Sequence, residues 1–175
     1  MFTRKIALSA AMTFLSAATL AAESPNLGRV PSQDEIVAWD ISIAPDGAGL
    51  PKGGGTSKQG EAVFAAKCVA CHGEKGVGKP NDALVGGRGT LSGDQPPVKT
   101  VGSFWPYATT IFDYVRRAMP LNESKSLTSD ELYALVAYIL QQNGVVGEEE
   151  LIDAQTLPKV RMPNRGGFVT FAPGK

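Results

Sequence analysis

The chain has 175 residues, 43% of them hydrophobic, with 17 basic and 17 acidic side chains. This length and apolar fraction are typical of one ordinary globular domain and exclude a wholly disordered chain. Without Arg4 and Lys5, which belong to the leader described next, 15 basic and 17 acidic residues remain. The resulting slight negative charge argues against nucleic acid as a partner.

The N-terminus is typical of a secretory signal peptide. Arg4 and Lys5 precede an uncharged run from Ile6 to Leu20, and small residues follow at Ala21 and Ala22. The run is short for a membrane span and ends at a plausible cleavage site. We therefore expect a signal peptide over residues 1–22 and a mature protein exported to the periplasm without a membrane span.

The remaining chain is predicted to form an N-terminal arm over residues 23–57, a helical centre over 58–144 and a C-terminal arm over 145–175. In the first arm, "PDG" indicates a turn, and "GLPKGGGTSKQG" indicates a flexible segment that leads to the helical centre. The alternating "VAWDISI" suits a strand, but a single strand has no partner of its own kind. It is predicted to be an extended segment laid on another surface.

The centre carries three helical patterns. The first runs from Gly60 to Cys71, and the second is "TIFDYVRRAM", which Pro120 ends. The third, "LTSDELYALVAYILQQNG", begins with a capping box between Thr128 and Glu131 and ends at Gly144. Short helices joined by long loops predict an all-α domain with a small core, which needs further stabilisation.

The segment "CVACHG" contains both cysteines and the single histidine of the chain, Cys68, Cys71 and His72. A structural zinc site needs four ligands, and no further Cys or His is present. A redox disulfide usually accompanies a βαβ pattern, and a structural disulfide across two residues would constrain little. C-x-x-C-H is also the attachment signature of haem c, with two thioethers to the porphyrin and the histidine on iron. This fourth interpretation uses all three residues and is favoured.

A second axial ligand would come from a methionine. Met1 and Met12 lie in the leader, which leaves Met119 and Met162. Met119 lies in "RRAMPLNESKSLT" between two helices, and Met162 in the polar "RMPN". A thioether favours ferrous iron and suits electron transfer. Met119 is predicted to be the iron ligand and Met162 to fill the core.

These residues resemble the single-haem class I cytochromes c. Gly60 and Phe64 before "CVACH", the Met-Pro loop and "LVAYIL" carry the resemblance over about residues 58–144. It implies one covalent haem c, and a first helix that crosses the last with Gly60 and Phe64 against Leu135 and Tyr138. It also implies a proline carbonyl that orients the ligating histidine, for which "GKPNDAL" offers Pro80 or a neighbouring carbonyl.

A narrower resemblance extends into both arms. "WDISIAPDGAGLPKGGGTSKQGEAVFAAKCVACHG", "SFWPYATTIFDYVRRAMP" and "LPKVRMPNRGGFV" are similar to the cytochrome subunits or domains of bacterial molybdenum sulfite and sulfane dehydrogenases. The resemblance implies a periplasmic haem subunit that takes single electrons from a molybdopterin-containing subunit. It would pass them to a downstream cytochrome c or another acceptor, with no bond chemistry of its own.

Two function classes stay open. The first is electron transfer, by a complex subunit or by a free-standing shuttle. The second is a haem enzyme or ligand sensor with an open iron position, against which the lack of a second histidine counts. Trp105 and Tyr107 could cover the haem or bond a propionate, or they could be plain core residues.

Overall fold

The computed structural model describes residues 27–169, which divide into two units at Asp40 and Ile41. The described helices are α1 (Gln33–Trp39), α2 (Ser57–Lys67), α3 (Val69–His72), α4 (Ala108–Ala118) and α5 (Ser129–Gln142). Short 3-10 turns cover Glu74–Gly76 and Leu157–Lys159, and β1 (Gly54–Gly55) pairs antiparallel with β2 (Ile152–Asp153). The predicted all-α fold with irregular flanks is confirmed.

The described part of the first unit, residues 27–40, contains one short helix. Ser32 and Glu35 form a capping box at the start of α1, and no residue of the helix is buried. The prediction that "VAWDISI" is extended throughout is therefore wrong, because Val37 to Trp39 are helical. The capping signal "SQDE" was present in the sequence and outweighs a short alternation of apolar residues.

In the second unit, α2 crosses α5 at a glycine. A Cβ atom at Gly60 would overlap the carbonyl oxygen of Ala134 and lie 2.9 Å from Cβ of Tyr138. One turn later the rings of Phe64 and Tyr138 are 5.1 Å apart. The crossing matches the prediction for Gly60, Phe64 and Tyr138. Gly60 meets the backbone of Ala134, the residue before the predicted Leu135. The missing side chain lets the two helices approach closely.

The core of the second unit lies between α4 and α5. Phe112 and Tyr133 are fully buried, with ring centroids 4.6 Å apart. At the start of α5, Thr128 and Glu131 form the predicted capping box. Every residue from Leu132 to Leu140 is buried, so α5 is the central helix of the core.

Segments on either side of the helices close this core. Ile43 is 9% exposed, and its backbone N–H donates to the carboxylate of Asp113 on α4 at 3.0 Å. Tyr133 donates its hydroxyl to the carbonyl of Pro51 at 2.8 Å. On the C-terminal side, Ile152 and Leu157 are fully buried. These segments lie outside the predicted helical centre of residues 58–144, yet their apolar side chains pack into the core formed by the helices.

No helix within residues 27–169 has the length and apolar character needed to cross a bilayer. The predicted signal peptide over residues 1–22 lies outside the described residues.

Candidate functional site

The cysteines and the histidine lie on one helical turn. Cys68 ends α2 and precedes α3, with its N–H bonded to Phe64 and its carbonyl accepting from Cys71 at 3.1 Å and His72 at 2.9 Å. The two cysteines form no disulfide; Cys68 is half-buried and Cys71 exposed. One turn therefore presents two unpaired sulfurs and an imidazole as neighbours.

The two thiols have different surroundings. Cys68 packs against the hydrophobic core, and this burial raises the pKa of its thiol to about 11. A smaller rise from nearby Cys71 is opposed by the positive charge of Lys67. Burial therefore favours the neutral form of the unattached Cys68 thiol, which lies on the apolar side of the turn.

The His72 ring is held by a backbone carbonyl. Its Nδ1 lies 3.0 Å from the carbonyl oxygen of Asp82, so with Nδ1 assigned as the protonated nitrogen it donates there. The other nitrogen, Nε2, is then free to act as a ligand. The tautomer and the ring orientation are thus both set by one contact.

Of the two alternatives expected within "GKPNDAL", Pro80 or a neighbouring carbonyl, the second is observed, because the carbonyl of Asp82 lies beside the ring. Gly78 donates its N–H to the carbonyl of His72 at 2.8 Å, and Asn81 donates to Cys71 at 2.9 Å. These two bonds fix the loop so that the residue after Asn81 faces the ring. No sequence signal marks Asp82, because any residue type supplies the same backbone oxygen.

The two candidate methionines lie in different environments. Met119 ends α4, donates its N–H to Val115 at 3.0 Å, and is half-buried against the core. Met162 is 3% exposed within the core itself. Met162 is thus placed as the predicted packing residue, and ligation by Met119 stays a prediction.

Trp105 and Tyr107 both have protein partners. Trp105 packs against the core and meets the ring of Tyr114 edge-on, with centroids 5.8 Å apart. Tyr107 immediately precedes α4, and the guanidinium of Arg165 lies 3.8 Å from its ring centroid. Contacts of these two aromatic residues with a haem stay a prediction.

The donor set fits a haem attached through thioethers. Within residues 27–169, no three His, Cys, Asp or Glu side chains gather in a way that could hold one metal ion. Cys68, Cys71 and His72 therefore do not form a cluster around a common centre. Attachment of haem c requires two different kinds of bond, from two cysteine sulfurs to the porphyrin edge and from one imidazole to the iron. The apolar side chains of Leu84, Trp105 and Met119, packed on the same core as Cys68, suit a porphyrin face.

Comparisons with known proteins identify the family of the chain. Residues 55–139 match the family model described as cytochrome c oxidase, cbb3-type, subunit III. A thiosulfate dehydrogenase of Psychrobacter arcticus is 28% identical over 102 residues, which cover 56% of this chain and 31% of that protein.

A solved structure extends the match to most of the chain. A chain in the crystal structure of the sulfane dehydrogenase SoxCD from Paracoccus pantotrophus is 41% identical, with a TM-score of 0.78. The alignment covers 83% of this chain and 72% of that one. The present chain therefore belongs to the same c-type cytochrome family as this SoxCD chain, and it carries covalently bound haem c.

Proposed function

We propose that the chain transfers single electrons through a haem c held by Cys68, Cys71 and His72, with Met119 as the second iron ligand. The observation that carries the proposal is the single turn on which both cysteine sulfurs, not joined in a disulfide, lie beside an imidazole oriented by Asp82. The haem supplies an iron that cycles between ferric and ferrous states. The chain itself makes and breaks no substrate bond.

The protein residues tune this centre. The Asp82 carbonyl accepts from Nδ1 of His72 and so keeps Nε2 unprotonated and directed as a ligand. Met119 would contribute a neutral, soft thioether, which stabilises the ferrous state and raises the potential. Cys68, Trp105 and Met119 pack against the core and give one side of the site apolar surroundings.

We further propose that the electron donor is a molybdopterin-containing dehydrogenase subunit in the periplasm, and that a cytochrome c or another acceptor takes the electron onward. Identity of 41% to a chain of the sulfane dehydrogenase SoxCD supports this partner class. The leader-like residues 1–22 support the location. The free-standing shuttle is the competing interpretation.

Exposed apolar side chains offer candidate binding surfaces for such a partner. Val30, Val37 and Trp39 are 89%, 64% and 82% exposed, and Phe168 is 52% exposed. A stable interface buries on the order of 1,600 Å². The N-terminal segment 27–40 is the larger of these two candidate surfaces, whereas residues 152–162 already pack their largest apolar groups on the chain's own core.

The ligand assignment is tested with a matched pair of variants, Met119→Ala and Met162→Ala. In Met119→Ala the weak near-infrared absorption of methionine-ligated ferric haem should vanish and the potential should fall. Met162→Ala should lose stability and keep the absorption band, because Met162 lies in the core. The opposite pattern would overturn the assignment. Haem staining after denaturing electrophoresis checks covalent attachment, which Cys68→Ala and Cys71→Ala should weaken.

The partner proposal is tested by copurification from the periplasm with analysis for iron and molybdenum. Deleting residues 23–39 should leave the haem spectrum intact, weaken copurification and slow electron transfer from the partner. Deleting residues 166–175 should act in the same direction and more weakly, because it removes less exposed apolar surface among the described residues. If both truncated proteins kept full affinity and rate, the shuttle interpretation would be preferred.

A further inference from the structure

The residue after His72 is a glycine in a conformation that other residues rarely adopt. Gly73 has φ 71° and ψ 169°, a region open essentially to glycine alone. A Cβ atom there would overlap the carbonyl oxygen of Gly78 and lie 3.2 Å from its carbonyl carbon and 3.4 Å from the oxygen of Lys79. The atoms it would meet are backbone atoms, which cannot rotate away as a side chain can.

The backbone that Gly73 meets belongs to the loop that orients His72. Gly78 donates to the carbonyl of His72 at 2.8 Å, and Asn81 donates to that of Cys71 at 2.9 Å. Asp82, the next residue, supplies the oxygen 3.0 Å from Nδ1 of His72. Displacing the Gly78 peptide would therefore disturb the bonds that hold the loop against α3 and the contact on the imidazole.

We propose that Gly73 is a positioning residue for the iron ligand. Its missing side chain lets the 78–82 loop close over the end of α3, which keeps the Asp82 carbonyl on Nδ1 of His72. An acceptor on Nδ1 makes the ligating imidazole more basic and stabilises ferric iron. Gly73 thereby holds the reduction potential below the value it would have with a free Nδ1–H. The inference rests on the proposed ligation of iron by His72.

Two other glycines provide graded controls. Gly89 has φ 82°, but a Cβ atom there would meet nothing within 4 Å. Gly78 has φ 96°, and its Cβ atom would lie 3.1 Å from the backbone nitrogen of Ala83, a tight contact that is milder than the overlap at Gly73. All three glycine-to-alanine changes place a side chain at positive φ. The three variants differ in how closely the added Cβ atom would approach neighbouring backbone atoms.

The experiment uses the holoprotein with Gly73→Ala, Gly78→Ala and Gly89→Ala. It measures three quantities: exchange of the His72 Nδ1–H with solvent by NMR in the ferrous state, the reduction potential, and the melting temperature. In Gly73→Ala we expect exchange about fivefold faster or more, as for loss of one hydrogen bond, and a higher potential. Gly78→Ala should shift both in the same direction by less, and Gly89→Ala should leave both at the wild-type values.

Several outcomes would overturn the proposal. If Gly73→Ala melts earlier but keeps the wild-type exchange rate and potential, Gly73 has a structural role alone. If Gly73→Ala fails to acquire haem, the Gly78→Ala variant becomes the test of the proposal. An exchange rate and a reduction potential at the wild-type values in Gly78→Ala would then reject the inference. Failure of the underlying assignment is separate, because the wild-type protein would then lack a His72 ring signal shifted by the porphyrin ring current.

Discussion

Residues 27–40 and residues 145–162 flank the haem-binding part of the chain with similar mixtures of polar and scattered apolar residues, but their apolar side chains differ in burial. In the first segment, Leu27, Val30 and Trp39 are between 82% and 90% exposed. In the second, Ile152 and Leu157 are fully buried. Composition alone therefore did not distinguish the segment with exposed apolar side chains from the segment that packs into the core.

Local turn chemistry accounts for the burial in the second segment. The Asp153 carboxylate accepts from the N–H groups of Gln155 and Thr156, both at 2.8 Å, and Thr156 donates its hydroxyl to Leu151 at 3.0 Å. This turn brings Ile152 on one side and Leu157 on the other into the core. In the first segment, capping bonds stabilise α1 locally without burying any of its residues.

The largest expected difference between the segments is in core packing. Leu157→Ala should lower the free energy of unfolding by about 2–5 kcal/mol, because it removes a fully buried side chain. Trp39→Ala should change it by less than about 0.5 kcal/mol, since that side chain is 82% exposed. Denaturant unfolding of the two variant holoproteins measures both free energies. Equal losses in the two variants would contradict the difference in burial between the segments.

The capping boxes of α1 and α5 offer a smaller and more local contrast. Thr128→Ala at the start of α5 should cost about 1 kcal/mol of global stability, because α5 is buried and central. Ser32→Ala removes the same kind of cap from α1, which buries no residue. It should leave global unfolding unchanged and speed amide exchange within Gln33–Trp39. A global loss in Ser32→Ala would show that α1 contributes to the cooperative fold.

The contribution of the Asp153 turn to stability can be tested by lowering the pH, and the expected effect is smaller than that of removing a helix cap. Backbone hydrogen bonds from Thr156 and then Gln155 lower the pKa of Asp153 from its ordinary 3.8. A carboxyl group whose folded pKa is depressed stabilises the fold above the unfolded pKa, and this contribution is lost as pH falls through the folded value. Wild-type stability should therefore fall more steeply than that of Asp153→Asn below about pH 4. Parallel pH curves would contradict this role.

The smallest effect is expected at the ion pair of the first segment. Arg29 lowers the pKa of Glu35 to about 2, with help from Ser32, yet the pair lies in an exposed segment. Exposed ion pairs contribute little to folding. Glu35→Gln should leave thermal unfolding unchanged at low and at high salt, with a slight loss of α1 helicity by NMR. A salt-dependent change in the melting temperature would contradict the expectation.

Much of the fold followed from local patterns. The Thr128–Glu131 capping box and the apolar period of α5 depend on neighbours in the chain, and both are present as predicted. The Gly60 and Phe64 crossing followed from the family resemblance and was also correct. The same capping rule applied to "SQDE" would have predicted α1. The alternation of apolar residues in "VAWDISI" led instead to the wrong prediction of an extended segment.

The candidate site could be predicted in part. Cys68, Cys71 and His72 are adjacent in sequence, so one helical turn brings them together whatever the rest of the chain does. The Asp82 carbonyl could not be identified in this way, because backbone oxygens carry no residue signature and the loop register depends on bonds to Cys71 and His72. Burial of Met162 also depends on a distant segment folding back on the core.

The sequence by itself determined the cofactor signature, the main helices and the family, because these depend on residue types at short, regular spacings. The tertiary structure decided which carbonyl holds His72, that Gly73 must lack a side chain, and that residues 152–162 join the core while 27–40 stay exposed. Those features arise from contacts between segments far apart or from backbone atoms common to all residues. Local composition contains neither kind of information.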